Sequence, residues 1–302
     1  MRKNKNNLLI FFIVLIFLIG ISMVIYPYLS QYLYEKNSAK VIDDYQNVTN
    51  QLSKEIITQE LEKCYKYNNE ILNNYMILTD PFDPNSFPVT KENYEDLLKF
   101  DDVMANIQIP TINVNLPIYH GTSEETLKKG VGHLENTSLP VGGNGTHAVL
   151  SAHRGLASAK LFTDLNKVKI GDKIIINVLN ETLIYEVYDT EIVEPDNVDS
   201  LRAVQNQDIL TLVTCTPYGI NTQRLLVHAR RTADLNSSNN ISNNEIKNNF
   251  NVQNLIIPIV IIFTIIFILI CINISINTKI KKKGRRFNTK IKKKGRHFSK
   301  NE

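Results

Sequence analysis

Two long uncharged apolar runs, at residues 8–26 and 255–276, constrain this chain more than any other feature of its sequence. A helix needs about 20 apolar residues to cross the hydrocarbon core of a membrane, and both runs reach that length. The first run is long for a signal peptide, and no small-residue cleavage site follows it closely, so we interpret it as an uncleaved anchor. The second run is not amphipathic, which disfavours a buried core helix. We therefore predict transmembrane helices at 8–28 and 254–277.

The formal net charge of +4 is unevenly distributed along the 302 residues. Residues 1–26 carry three basic side chains and no acid, residues 27–253 carry 19 basic and 29 acidic ones, and residues 254–302 carry 12 basic and one acidic. Basic residues beside a membrane helix stay in the cytoplasm. We therefore expect a protein of the cell membrane, with the ends 1–7 and 278–302 cytoplasmic and an acidic, extracytoplasmic body. Such a body offers no basic face to nucleic acid.

The basic tail contains a tandem repeat, since residues 278–287 read TKIKKKGRRF and residues 289–298 read TKIKKKGRHF. We favour a topology signal that tolerates extra length. The alternative is binding to anionic lipid, at about 1 kcal/mol per basic residue near the surface. Ahead of the second apolar run, residues 234–253 are a polar, Asn-rich segment that we interpret as a flexible tether.

The segment 29–78 has helical spacing and predicts one or two amphipathic helices. We place four of its residues on the apolar stripe: Ile56, Leu61, Cys64 and Tyr65. Three prolines within eight residues then end the helix and predict an extended stretch at 79–90. It is either a linker or, because it carries two phenylalanines, a lid.

The segment 91–233 changes to short β-type runs separated by Gly, Pro, Asn and Asp, a pattern typical of a β-barrel or sandwich. We therefore predict a mainly β domain. Its runs lie at 107–109, 113–119, 148–152, 173–178, 183–188, 209–214 and 225–229.

Cysteine, histidine and arginine each stand at the end of a predicted strand. Of the three cysteines, Cys271 lies in the second apolar run, which leaves Cys64 and Cys215 either to form a disulfide or to include a free nucleophile. Cys64 belongs to the helical stripe and is interpreted as a core residue. His153 follows the run 148–152, and Arg224 stands nine residues after Cys215, within reach through a hairpin.

These three residue types suit acyl transfer. A thiol needs an imidazole to exchange protons with attacking and leaving groups, and the oxyanion needs a fixed donor, which a permanently charged arginine supplies. The spacing shows no acid–histidine–thiol triad. The alternative, a structural cysteine in a non-catalytic binding module, stays open at this point.

The motif TLVTC at 211–215, followed by TPYGINTQRLLVHARR, resembles the active-site signature of sortases. Residues 119–165 are similar to the segment around the sortase histidine, and Asp80-Pro81-Phe82 resembles the lid of the pilus-building class C sortases. A second membrane helix after the catalytic domain agrees with that class. The resemblance implies a closed barrel of about eight strands with no cofactor and no metal.

The resemblance also implies roles for individual residues. Cys215 would be the nucleophile, His153 the general acid and base, and Arg224 the donor to the substrate carbonyl. The lid residue Asp80 would bond Arg224, and Phe82 would cover the thiol. Three other histidines match no catalytic position and are interpreted as structural: His120, His133 and His147.

The function implied by the resemblance is transpeptidation. The enzyme would cleave a Leu-Pro-x-Thr-Gly-like sorting signal and join it to a lysine of a pilin subunit. The alternatives are a housekeeping sortase that attaches proteins to peptidoglycan and a non-catalytic, membrane-tethered module.

Overall fold

The computed structural model describes residues 3–74, 76–83 and 94–232, together with eight single positions between 261 and 284. The predicted tether, part of the predicted lid and most of the second apolar run and of the basic tail therefore lie outside the described residues.

The chain forms two compact units. One is Leu29–Asn249, and the other combines Met1–Tyr28 with Phe250–Glu302.

The first helix, α1, spans Lys3–Asn50 and contains the first apolar run. Large apolar side chains such as Ile16 and Met23 are exposed on it. Within the described ranges it is the one helix long and apolar enough to cross a membrane. The second membrane helix stays a prediction, although one described residue of that run, Phe267, stacks on Phe17 with ring centroids 3.7 Å apart.

Eight strands form the body of the larger unit, and they close into a barrel in the order β1-β2-β3-β4-β7-β8-β6-β5. Neighbouring strands are antiparallel except for the pairs β2–β3 and β4–β7. A mainly β fold with a closed eight-stranded barrel is thus confirmed. The strands are β1 Ala105–Ile109, β2 Val114–His120, β3 Val131–His133, β4 Thr146–Ser151, β5 Lys173–Val178, β6 Glu181–Val193, β7 Asp208–Thr216 and β8 Gln223–Arg231.

Strand β3 and the short helix α3 (Glu124–Lys129) are absent from the sequence-based prediction. Three residues are too few to show a period of two, and Gly132 interrupts the apolar pattern of β3. Ser123 caps α3 by accepting a hydrogen bond from the Thr126 amide, with Oγ and N 3.1 Å apart. Ser-Glu-Glu before a leucine is a helix-start signal that the sequence does contain.

The strand β7 is buried on both faces because the two faces belong to different clusters. Leu210 and Leu212 point into the barrel and join its main core. Val213 points outward and packs with Val149 of β4 and Leu226 of β8 in a second cluster. Side chains alternate along a strand, so Cys215 lies on the same outward face as Val213.

Helix α2 (Lys54–Asn73) covers one part of the barrel with a face that matches the predicted stripe at Leu61 and Cys64 but not at its other two residues. Ile56 and Tyr65 are largely exposed. The buried stripe includes Glu60, whose Oε1 accepts a hydrogen bond from the Leu98 amide at 2.8 Å. A buried carboxylate is acceptable here because it is bonded, and this is what a search for apolar residues misses.

The two cysteines outside the membrane runs are both free, so the disulfide alternative is wrong. Cys64 is fully buried in α2, as predicted for a core residue. Burial raises the pKa of its thiol to about 12, and this keeps Cys64 protonated and unreactive.

A chain of buried hydrogen bonds crosses the outward faces of β4, β7 and β8. The Thr211 hydroxyl lies 2.7 Å from Nε2 of His147 and 2.8 Å from Nδ1 of His228. His147 also bonds the Arg202 carbonyl, and Nε2 of His228 lies 3.1 Å from Glu191. Burial lowers the pKa of His147 to about 4, so this histidine is neutral at ordinary pH.

We expect Thr211→Val to destabilise the protein by about 2–4 kcal/mol, because the substitution keeps the volume but leaves two buried histidine nitrogens without their partner. The thermal unfolding midpoint checks this. Thr190→Val, at an exposed position of β6, is the control and should stay within about 0.5 kcal/mol of the native protein. Equal midpoints for the two variants would contradict the prediction.

Candidate active site

Cys215 and Arg224 lie side by side at the open end of the β7–β8 hairpin. They are direct partners in the antiparallel register of the two strands. Opposed residues of an antiparallel pair point to the same face with their Cβ atoms about 5 Å apart. The structure therefore brings together the thiol and the guanidinium, and each residue is only 8% exposed.

The parallel pairing of β4 and β7 places His153 near Cys215 and Arg224. The last registered pair is Ser151 with Val213. Beyond it the Ala152 amide donates to the Val213 carbonyl (3.2 Å), and the Thr214 hydroxyl donates to the Ala152 carbonyl (2.8 Å). Continuing this register by two residues from Ser151 and Val213 sets His153 beside Cys215.

A tight turn carries Asp80 and Phe82 over the strand ends. The Asp83 amide donates to the Asp80 carbonyl (3.2 Å), and the Phe82 amide donates to Oδ1 of Asp80 (3.3 Å). Pro81 occupies the second turn position, where its fixed φ is favourable. The Asp-Pro-Phe sequence thus builds a turn that presents the carboxylate and the ring together.

The turn residues contact the groups predicted to be catalytic. Asp80 forms a two-point ion pair with Arg224, in which Nε lies 2.7 Å from Oδ1 and Nη2 lies 2.5 Å from Oδ2. The Phe82 ring lies between Arg224, with its Cζ 5.3 Å from the ring centre, and His153, whose ring centroid is 5.8 Å away. All five predicted site residues therefore meet in one region.

Arg224 is held from a second side by its own hairpin. Nη1 donates to the carbonyls of Asn221 and Gln223, both at 3.1 Å. These bonds fix the guanidinium without using the nitrogens that bind Asp80. A ligand that displaces Asp80 would meet an arginine that is already oriented.

In this closed arrangement the thiol and the imidazole are both kept neutral. Burial raises the pKa of Cys215 and the Asp80 charge raises it further, while Arg224 acts in the opposite direction. Burial lowers the pKa of His153, and Glu124 partly offsets this. The structure therefore shows the thiol in a state of low reactivity.

An apolar cluster lies next to the turn on the outward barrel face. Val149, Val213 and Leu226 of the sheet pack there with Leu78, and Phe82 packs against them. Leu201, in the connection between β6 and β7, is buried in the same cluster. Beside Asp80 and Arg224 lies a cavity of about 540 Å³.

The other histidines have structural partners. His133 is buried, with Nδ1 2.9 Å from the Tyr94 hydroxyl and Nε2 2.8 Å from the Ser138 carbonyl. Nε2 of His120 lies 2.7 Å from the Leu97 carbonyl.

Two charged residues near the site are absent from the sequence-based prediction. Arg154 donates from Nη1 to the Thr216 hydroxyl at 3.0 Å, and its guanidinium lies over the Tyr218 ring. Glu124 of α3 places Oε2 3.5 Å from Nε2 of His153. Because Arg154 directly follows His153 in sequence, it could have been predicted to lie near the site. The proximity of Glu124 to His153 could not be predicted from local sequence, because α3 is distant from His153 along the chain.

The arrangement defines a class of protein. It is a closed β-barrel with a thiol, an imidazole and a guanidinium at neighbouring strand ends, and these are the groups that acyl transfer through a thioester requires.

Residues 107–232 match the sortase domain family. The structure is similar to sortase C1 of GBS Pilus Island 1 (TM-score 0.60, 41% identity), covering 65% of this chain and 92% of that one. It is also similar to sortase C-1 from Actinomyces oris (TM-score 0.56, 47% identity, coverage 59% and 98%). The chain belongs to the sortase family.

A sequence relative leads to the same family over a shorter segment. Sortase A of Streptococcus agalactiae serotype III (strain NEM316) is 32% identical over 130 residues, which are 42% of this chain and 52% of that protein. The chain thus spans about half the length of this relative.

Proposed function

We propose that the protein is a membrane-anchored cysteine transpeptidase of the pilin-polymerising class C. It cleaves a Leu-Pro-x-Thr-Gly-like sorting signal and joins the new carboxyl end to a lysine of a pilin subunit. The observation that carries this proposal is the Asp80–Arg224 ion pair beside Cys215, which closes the site under an Asp-Pro-Phe turn. Support comes from the similarity to sortase C1 of GBS Pilus Island 1.

The first half-reaction begins when the sorting signal replaces the turn over the strand ends. The Cys215 thiol transfers its proton to His153, and the resulting thiolate attacks the Thr–Gly carbonyl carbon, while Arg224, released from Asp80, donates hydrogen bonds to the oxyanion. His153 then gives its proton to the departing glycine amine, so that the C–N bond breaks and a thioester forms.

The second half-reaction transfers the acyl group to an amine. A lysine Nζ attacks the thioester carbon, His153 accepts the proton of the amine, and Cys215 leaves as the thiolate. The isopeptide bond takes its free energy from the peptide bond already cleaved. No nucleotide and no cofactor is required.

Membrane anchoring fits this function, since pilin substrates with anchors of their own would lie near the same surface. We propose that 8–28 and 254–277 are the two spanning helices, with 1–7 and 278–302 in the cytoplasm. In the extracytoplasmic part, 29–78 is a helical segment, 79–90 the lid and 91–233 the catalytic barrel, and 234–253 is the tether.

The amine that accepts the acyl group distinguishes the proposed pilin-polymerising sortase from a housekeeping sortase. We expect the full-length protein in detergent, given a sorting-signal peptide, to form product with a purified pilin and at least about tenfold less with a peptidoglycan stem peptide. Mass spectrometry of the conjugates measures this. Preference for the stem peptide would favour the housekeeping alternative. Conjugation to neither would favour the non-catalytic module.

A further inference from the structure

The short helix α3 brings a carboxylate to His153, and its position is fixed by several contacts. Ser123 caps its first turn, and Leu127 is buried. At its other end the Lys129 carbonyl accepts a hydrogen bond from the Tyr34 hydroxyl of α1 at 2.9 Å. These contacts hold α3 at both ends and through its middle. They therefore fix the position of the Glu124 backbone relative to His153.

Glu124 divides its two oxygens between two partners. Oε1 lies 3.0 Å from Nζ of Lys128, one helical turn further along α3. Oε2 lies 3.5 Å from Nε2 of His153. The lysine thus orients the carboxylate so that its second oxygen is directed at the imidazole.

The Nε2 atom of His153 is shielded from solvent, and among the described groups none makes a hydrogen bond of good geometry with it. The 3.5 Å separation between Nε2 and Oε2 of Glu124 is longer than that of a well-formed hydrogen bond. Such contacts tighten when the ring gains a proton, because the bond becomes charge-assisted. A neutral imidazole in the closed site is consistent with the longer distance.

We propose that Glu124 is a positioning residue for His153: its carboxylate holds the imidazole through Nε2 and leaves Nδ1 to exchange protons with the thiol and the amines. The neutral ring carries its proton on Nε2, facing Glu124, and Nδ1 accepts the thiol proton. The resulting imidazolium then has both nitrogens protonated, with the charge stabilised by Glu124. This role rests on the proposed function, in which His153 is the acid and base.

Several charged or titratable groups besides Glu124 lie around His153. Burial lowers the pKa of His153, Glu124 of α3 raises it, and Lys128 of the same helix lowers it. The Cys215 thiol stands at the adjacent strand end. The ion pair between Asp80 and Arg224 lies further away, since Arg224 packs on the Phe82 ring, which in turn lies near the His153 ring. Glu125 offers a matched control, since it is 81% exposed and forms the equivalent ion pair with Lys129 at 2.7 Å.

The test is a titration of His153 in the full-length protein in detergent, by NMR of ¹³C-labelled histidine, in a Cys215→Ala background that removes coupling to the thiol. We expect Glu124→Gln to lower the pKa of His153, Lys128→Gln to raise it and Glu125→Gln to leave it unchanged. With Cys215 restored, Glu124→Gln should lower kcat for transpeptidation about threefold to tenfold with little change in KM, because the carboxylate is 62% exposed.

The proposal is overturned if Glu124→Gln and Glu125→Gln give the same His153 titration. A kcat for Glu124→Gln equal to that of Glu125→Gln also overturns it. Opposite pKa shifts for Glu124→Gln and Lys128→Gln, in a protein that forms no product with any amine, would support the pairing of Glu124 with His153 and reject the proposed function instead.

Discussion

Replacing Cys215 with alanine is expected to reduce transpeptidation by at least about a thousandfold, because no other group in the described site can hold the acyl chain as a thioester. Arg224 and His153 remain in the variant and can still bind and polarise the sorting signal. What disappears is the intermediate that stores the energy of the cleaved bond. Peptide cleavage and conjugate formation should therefore fall together.

Mass spectrometry of the enzyme after a short exposure to the sorting-signal peptide measures this directly. The native protein should gain the mass of the acyl fragment on the peptide that contains Cys215, and the variant should gain none. Cys64→Ala is the matched control, since Cys64 is also a free, buried cysteine but lies in the α2 core. Conjugates formed by the Cys215→Ala variant at the native rate would refute a thioester mechanism.

The parts of the site that could be predicted from sequence are those joined by local geometry. Cys215 and Arg224 are nine residues apart in one hairpin, so the spacing alone brings them together. The position of His153 depends on the parallel contact between β4 and β7, which strand patterns do not reveal. Its assignment came from the resemblance to sortases, and the structure supplies the physical reason through the β4–β7 register.

The error in the predicted apolar stripe of α2 also has a specific physical cause. The predicted stripe on α2 failed at Ile56 and Tyr65 because the helix buries Glu60 and Asn68 instead. Asn68 forms two hydrogen bonds with the backbone of Leu139, at 3.2 and 2.7 Å. Periodicity searches count apolar residues, whereas this interface uses bonded polar groups, which only tertiary structure can identify.

The closed site combines three effects that lower the reactivity of the thiol. The ring of Phe82 shields the site. Burial raises the pKa of Cys215 and Asp80 raises it further, although Arg224 acts in the opposite direction, and the Asp80 carboxylate also occupies the arginine that would stabilise an oxyanion. In the extracytoplasmic location that we propose, a thiol would be exposed to oxidants and stray electrophiles, and a protonated, covered thiol reacts slowly with both. In the proposed reaction these contacts also oppose binding of the substrate, so we expect them to break before catalysis.

Asp80→Ala is therefore expected to open the site and to accelerate alkylation of Cys215 by iodoacetamide about tenfold or more. Burial is the main cause of the raised thiol pKa, and the substitution both relieves that burial by opening the site and removes the Asp80 charge, which raises the pKa further, so that Arg224 is left to lower it. An arginine left unpaired in a closed, buried site would cost about 3–5 kcal/mol. Displacement of the turn lets water solvate Arg224 and relieves this cost, so the energy of the broken ion pair drives opening.

Alkylation followed by peptide mapping distinguishes Cys215 from Cys64, which should stay unlabelled in every folded variant because it is fully buried. Asp83→Ala is the matched control, since it removes an exposed acid from the same turn and leaves the Asp80–Arg224 pair intact. Its labelling rate should equal that of the native protein. If Asp80→Ala labels no faster than Asp83→Ala, the ion pair does not control access to the thiol, and the turn is a fixed part of the site.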